Sequence, residues 1–178
     1  MATAAALSDK IGFEHTSLAV LARHVGVRLP SLYAHVQNAE DLRHRVALYA
    51  LDRLATVVAE AIAGRSGRDA IIALADAHRA FADAHPGQFE AARHPLPPHL
   101  AADSGGASIS RMTRAALRDY QLGEPAETHA VRLLGSFLLG FTTLEAAGGF
   151  ARSNPPPDLS WTASLDALDR LLRTWPTT

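Results

Sequence analysis

The chain has 178 residues, of which 48% are hydrophobic, and a formal net charge of −1. That length and apolar share suffice for a proper core, in one compact protein or in a small domain and a larger one sharing a helix. There is no cysteine, which excludes a disulfide framework, thiolate chemistry and any cysteine-held metal. Residues 2–11 read as a first helix with Leu7 and Ile11 facing inward, ended by Gly12, with Phe13 plugging a small core. Thr16 or Ser17 caps the next helix, because a side-chain oxygen there can accept an orphan backbone N–H. Leu18, Leu21, Ala22 and Val25 fall at i, i+3, i+4 and i+7 and give that helix one apolar face. Gly26 ends it, since a residue without Cβ takes the left-handed conformation of a sharp turn. Val27 re-enters the core, Pro30 pre-sets the first turn of another helix, and Leu32 and Val36 supply its inward contacts. Two short helices joined in this way form a helix-turn-helix unit, whose second helix can lie in the major groove of DNA.

After His35 the sequence VQNAEDLRHR opens a long helix. Asn38 is its expected N-cap and Asp41, three residues on, completes a short capping box. It runs through Leu42, Val46, Tyr49, Arg53, Val57 and Ile62 to Gly64, roughly 26 residues and about 39 Å. A helix follows over 69–85, with Ile71, Leu74, Ala75, His78, Phe81 and Ala82 on one stripe. Pro86-Gly87 breaks it and starts a short one. Residues 94–107, with three prolines and two adjacent glycines, form the segment expected to be mobile. Helices near 108–121, 125–148 and 159–174 complete the chain, with no internal repeat and no convincing strand. No apolar run reaches the length of a membrane span. The N-terminus lacks the basic start and long apolar stretch of a signal peptide, so a soluble cytoplasmic protein is expected.

The stretch GFEHTSLAVLARHVGVRLPSLYAHVQNAEDL resembles the N-terminal DNA-binding domain of the TetR family of bacterial transcriptional regulators. The shared features are Gly12-Phe13, Ala22, Gly26-Val27, Pro30-Ser31-Leu32-Tyr33, His35 and Leu42. LLGSFLLGFTTLEAAGGF is similar to one common type of the family's C-terminal domain. The resemblance implies an all-α protein of about nine helices: a three-helix helix-turn-helix head over residues 1–46, then an antiparallel helical bundle for ligand binding and dimerisation over 47–178. In the family, residues matching Arg28, Leu29, Pro30, Ser31, Tyr33 and His35 touch DNA. Each has suitable chemistry. Arg28 can reach a phosphate or a guanine edge, Leu29 and Pro30 a thymine methyl, and Ser31, Tyr33 and His35 can donate to phosphates or base edges. Ser17, at a helix N-terminus, can hold a phosphate or act as a simple cap. The alternative for Tyr33 and His35 is that they merely cover the head's core.

Residues 1–38 carry Lys10, Arg23 and Arg28 against Asp9 and Glu14, a balance of +1. Phosphate neutralisation supplies most nonspecific affinity, so one head should bind DNA poorly and two must act together. The chain departs from the family at Ala34 and Ala39, where many relatives carry basic residues. No basic arm precedes the short first helix, which leaves open a start upstream or a trimmed chain.

The family's effector pocket lies among the central helices, and its candidates here are His78, Phe81, His85, Phe89, Met112 and Tyr120. A mostly apolar cavity with a few polar groups suits a small molecule; the alternative for each histidine is a half-buried ring satisfied by backbone or water. Among His78, His85, His94, His99 and His129 there is no metal-ligand spacing, and neither a metal nor a cofactor is expected. The absence of a nucleophile–base pair, paired carboxylates or a phosphate loop argues against an enzyme. Val131, Leu134, Phe137, Leu138, Phe141 and Leu144 leave little polar face on one late helix, and Trp161, Leu165, Leu168, Leu172 and Trp175 form a stripe on the last. A helix apolar nearly all round is buried on several sides. The expected dimer interface is therefore Val131, Leu134, Leu138, Phe141, Trp161, Leu165, Leu168 and Leu172; the alternative is a helix central to the monomer's own core.

Together the resemblance implies a homodimeric repressor on a palindromic operator, with reading helices in major grooves about 34–36 Å apart. An unidentified small-molecule effector would release it by displacing the long helix after the head. The rival is a helical dimer that has lost DNA binding and serves as a ligand- or protein-binding module.

Overall fold

The computed structural model describes residues 1–175, so only the last three residues of the expected 47–178 domain lie outside the described residues. Among the described residues ten α-helices follow one another: α1 (Ala2–Ile11), α2 (Leu18–Val25), α3 (Leu29–Tyr33), α4 (Ala39–Ile62), α5 (Gly67–Ala84), α6 (Pro86–Ala91), α7 (Pro98–Ala101), α8 (Gly105–Leu117), α9 (Ala126–Ala146) and α10 (Pro157–Arg173). A 3₁₀ turn at Arg118–Tyr120 follows α8. No strand occurs among the described residues, and no described helix is long and apolar enough to cross a membrane. The chain divides into two compact units. Met1–Val57 with Phe81–Ser108 forms the first, and Val58–Ala80 with Ile109–Thr178 the second. The expected 1–46 head lies wholly within the first.

The first unit is built on a core of Ala4, Leu7, Phe13, Leu18, Leu21, Val36, Leu42 and Val46, with Leu29, Leu32 and Tyr49 packed against it. Its helix ends follow their local chemistry. The Ser17 hydroxyl accepts from the Val20 N–H at 3.3 Å, and Gly26 turns left-handed at φ 74°. Asn38 Oδ1 accepts from the Asp41 N–H at 2.9 Å, while Asp41 Oδ2 accepts from the Gln37 N–H at 2.8 Å. The box is thus closed one residue earlier than the usual reciprocal bond to the N-cap. Arg45 grips Asp41 from the next turn, and with the Gln37 N–H it holds the Asp41 carboxyl below the usual carboxylate range.

Three inward expectations fail in this unit: Ile11, Val25 and Val27 are 37%, 41% and 43% exposed. Each of these residues sits at or beyond a helix end, where the neighbouring helices no longer cover it. Residues 94–107 carry defined structure. α7 lies within the segment, the Asp52 carboxylate accepts from the Gly105 N–H at 3.0 Å, and a Cβ on Gly105 would stand 2.2 Å from the Leu51 carbonyl oxygen.

In the second unit, α10 is bound to α5 by polar contacts as well as packing. Trp161 Nε1 donates to Asp76 Oδ1 at 2.7 Å and Arg68 pairs with Asp166 at 2.5 Å. Arg79 forks onto Glu145 of α9, reaches Asp158 at 2.6 Å, and lies over the rings of Trp161 and Phe141. These carboxylates, Glu145 above all, raise the Arg79 pKa. The residues expected at a dimer interface mostly serve this same core. Leu134, Leu138, Trp161, Leu165, Leu168 and Leu172 are 1–9% exposed in the single chain, and Val131 and Phe141 are half-buried. A side chain consumed by its own core has little surface left for a partner. The same two helices expose Leu139, Leu144, Leu159 and Leu171 instead.

Candidate nucleic-acid interface

α3 is short and contributes no buried residue. Its inward side, Leu29 and Leu32, rests half-buried on the head's core. The rest of the segment faces outward: Arg28, Pro30, Ser31, Tyr33 and His35 are all exposed, and so is Ser17 at the start of α2. Tyr33 is 52% exposed, so it does not serve as a cover for the core. The sequence thus places a guanidinium, two hydroxyls, an imidazole and a proline ring along one outward segment. That set can donate to phosphates and base edges and touch a methyl group. Ser17 is already engaged as the cap of α2.

Behind the head, α6 is locked onto α1. A Cβ on Gly87 would lie 2.0 Å from the Ser8 carbonyl oxygen, an approach that only glycine permits. Asp9 of α1 accepts from the Gln88 N–H at 2.8 Å, from Gln88 Nε2 at 2.5 Å and from His85 Nδ1 at 3.2 Å. Arg53 of α4 donates to Gln88 Oε1 at 2.6 Å and faces His85 Nε2 at 3.2 Å. A guanidinium only donates, so His85 Nε2 is the acceptor and the ring hydrogen sits on Nδ1, facing Asp9. Glu90 Oε2 also accepts from the Phe13 N–H at 3.0 Å. One polar network therefore joins α1, α4 and α6.

The effector candidates divide between the units. Phe81, His85 and Phe89 belong to the first, where Phe81 is buried with its ring 5.2 Å from that of His85 and Arg93 lies over Phe89. His78, Met112 and Tyr120 belong to the second. His78 Nδ1 donates to the Leu74 carbonyl at 2.8 Å, and burial pushes its pKa down. The Tyr120 hydroxyl donates to Asp169 Oδ1 at 2.6 Å, and burial followed by that carboxylate pushes the phenol up. Tyr120 also lines a pocket of about 360 Å³ with Leu122, Pro125, Leu172, Arg173 and Trp175. A second grouping was not legible in the sequence: Glu40 and His44 of α4 meet His94, half-buried beyond α6. Glu40 and His44 stand one helical turn apart, but His94 is 54 residues from Glu40 in the chain, and only the fold brings it to them.

A helix-turn-helix head carried with a long helix into an otherwise all-helical chain defines a class of DNA-binding regulators. The family description "Tetracyclin repressor-like, C-terminal domain" matches residues 71–168. An HTH-type transcriptional regulator of Mycobacterium tuberculosis is 35% identical over 145 residues, covering 79% of this chain; the chain spans 65% of that relative's length. The HTH-type transcriptional regulator YobS of Bacillus subtilis is 33% identical over 152 residues, 84% of this chain and 78% of that protein. A TetR variant of Acinetobacter baumannii, solved in complex with minocycline, shares the fold with a TM-score of 0.75 at 17% identity, over 99% of this chain and 96% of that one. The chain belongs to the tetracycline repressor-like (TetR) family.

Proposed function

We propose that this chain is a transcriptional repressor that binds a palindromic operator as a homodimer and leaves it when a small molecule binds. The observation that carries the reading is the fully outward set Arg28, Pro30, Ser31, Tyr33 and His35 on a helix seated by Gly26 and Leu32. Both relatives bear the name of HTH-type regulators, which supports DNA binding over a helical module that has lost it. The head's balance of +1 makes two copies necessary, since few phosphates are neutralised by one.

The effector is assigned to the second unit, which holds the candidates His78, Met112 and Tyr120, and within it to the pocket that Tyr120 borders. A pocket of about 360 Å³ beside Tyr120 falls in the size range of small-molecule sites, and an open boundary of hydroxyl, guanidinium and indole suits an organic ligand with a polar edge. Of the first-unit candidates Phe81, His85 and Phe89, His85 acts through the network that joins α6 to α1, with the Phe81 ring against it. α4 and α5 each contribute residues to both units, so a ligand that binds one arrangement of these helices better shifts the population of heads able to read DNA. The protein acts in the cytoplasm and turns over no substrate.

Fluorescence anisotropy with fragments flanking the chain's own gene tests the reading. Arg28→Ala should weaken binding about 5- to 150-fold, the range for losing one arginine base contact, and Tyr33→Phe, which removes a single hydroxyl donor, should weaken it about 2- to 10-fold. Binding that survives both substitutions unchanged, or no fragment bound at low salt, overturns it.

A further inference from the structure

We infer that Glu40, His44 and His94 form a binding site for a divalent transition-metal ion of the zinc class. The site lies in the first unit, where the first turn of α4 meets the residues beyond α6. Glu40 and His44 are one helical turn apart and so project from the same face of α4. The two histidines approach the same carboxylate oxygen. His94 Nε2 lies 3.1 Å from Glu40 Oε1, and His44 Nε2 lies 3.2 Å from it. Zinc holds imidazole and carboxylate ligands at about 2.0–2.1 Å, so ligand atoms at the corners of its tetrahedron stand about 3.3 Å apart. Two of the three edges already have that length.

The third edge runs between the imidazoles, and all three ligand atoms fall within 4.8 Å of one another. The ring centroids are 5.6 Å apart and tilted at 46°, and small rotations of the two rings bring their Nε2 atoms together around an ion. Both histidines are largely shielded, with side chains 18% and 16% exposed, whereas Glu40 is open at 52%. Phe13, itself buried in the head's core, packs edge-on against His94 with ring centroids 5.5 Å apart. That contact fixes the ring that arrives from the distant segment.

Two imidazoles and one carboxylate select zinc, cobalt or nickel over magnesium or calcium, which prefer all-oxygen shells. Three protein ligands leave the fourth tetrahedral position to water. Arg43 also reaches Glu40, at 3.7 Å, but through Oε2, which leaves Oε1 on the side of the two histidines. Bound there, the metal ties the start of α4, directly after the reading segment, to the chain beyond α6.

The full-length chain, purified without a histidine tag, is titrated with Co²⁺ while the visible d–d absorption is followed, and Zn²⁺ is then added in competition. One Co²⁺ per chain is expected, with the intense bands of tetrahedral coordination and complete displacement by Zn²⁺. His94→Gln and Glu40→Gln should each weaken Co²⁺ binding by more than about tenfold, since even outer-shell partners carry 10- to 100-fold. Circular dichroism of both variants verifies their folding, and the open position of Glu40 makes its variant the safer of the two. The absence of saturable one-to-one binding overturns the site. So does unchanged affinity in Glu40→Gln and His94→Gln, which would place the ion on other histidines.

Discussion

His78 shows how one side chain can tune the molecule to pH. It is held by a single hydrogen bond to the Leu74 carbonyl, and burial, which disfavours the charged ring, outweighs that bond and lowers its pKa. In the unfolded chain a histidine titrates near 6.5. As pH falls through that value the unfolded state takes up the proton first, so stability declines until pH has passed the lower folded value. The neutral ring costs nothing above this window. Replacing His78 by Gln keeps an N–H for Leu74 and removes the titration. Urea unfolding at about pH 7.5 and about pH 5 should therefore show a smaller acid loss in His78→Gln than in the parent chain. An identical loss in both would assign the acid sensitivity to other groups.

Among the elements, the contact of α6 with α1 is the tightest, and it gives the largest expected effect of a single methyl group. The Cβ of an alanine at position 87 would meet the Ser8 carbonyl oxygen at 2.0 Å and the Asp9 amide nitrogen at 2.6 Å. Backbone cannot yield as a flexible side chain does. α6 must therefore move away, stretching the bonds from Asp9 to Gln88 and His85. Overpacking of this kind costs about 1–3 kcal/mol, and broken bonds to the Asp9 carboxylate add to it. Gly87→Ala should lower the urea midpoint accordingly; unchanged stability would mean the helices are not in such close contact. This device was only half legible in the sequence. Pro86-Gly87 reads as a break and a new start, which is local turn chemistry. That Gly87 faces the backbone of a helix some 79 residues earlier, as Gln88 faces Asp9, is a property of tertiary packing alone. The same division runs through the head. Ser17, Gly26, Pro30 and Asn38 act within a few residues of themselves, so the helix-turn-helix could be read directly. Val25 and Val27 could not, because periodicity tells which residues share a face but not where the neighbouring helix stops. For the same reason the long-range meeting of His94 with Glu40 and His44 left no trace in spacing.

At the scale of the whole molecule the proposed function turns on pairing, since heads this weakly charged would need a second copy to hold DNA. The stripe of Trp161, Leu165, Leu168 and Leu172 is a true apolar face, but it covers α5 and α9 of its own chain through the Trp161 rings and the Asp76 bond. Hydrophobic periodicity cannot distinguish a core from an interface, as both remove the same side chains from water. Among the residues left exposed are Gly135, Ser136, Leu139 and Thr143 on α9 and Leu159, Ala163, Ala167 and Leu171 on α10. These are small residues interrupted by leucines, on successive turns of each helix. An added Cβ at Gly135 or Gly140 would meet no atom of this chain within 4 Å. Glycine inside a helix costs about 0.5–1 kcal/mol relative to alanine, and nothing within the single chain requires it at either position. On the proposed dimer, a second copy crossing closely over this face would require it. Leu139 is 41% exposed, so an aspartate there leaves the monomer's core intact while placing a charge in the proposed seam. Light scattering should find the parent chain at twice its chain mass and Leu139→Asp at the single mass, with unchanged helical circular dichroism. The variant should also lose most of its operator affinity, because each head then binds alone. A dimer that persists in Leu139→Asp would move the seam elsewhere on the surface, and a parent chain that is monomeric would leave the two reading helices with nothing to hold them on one operator.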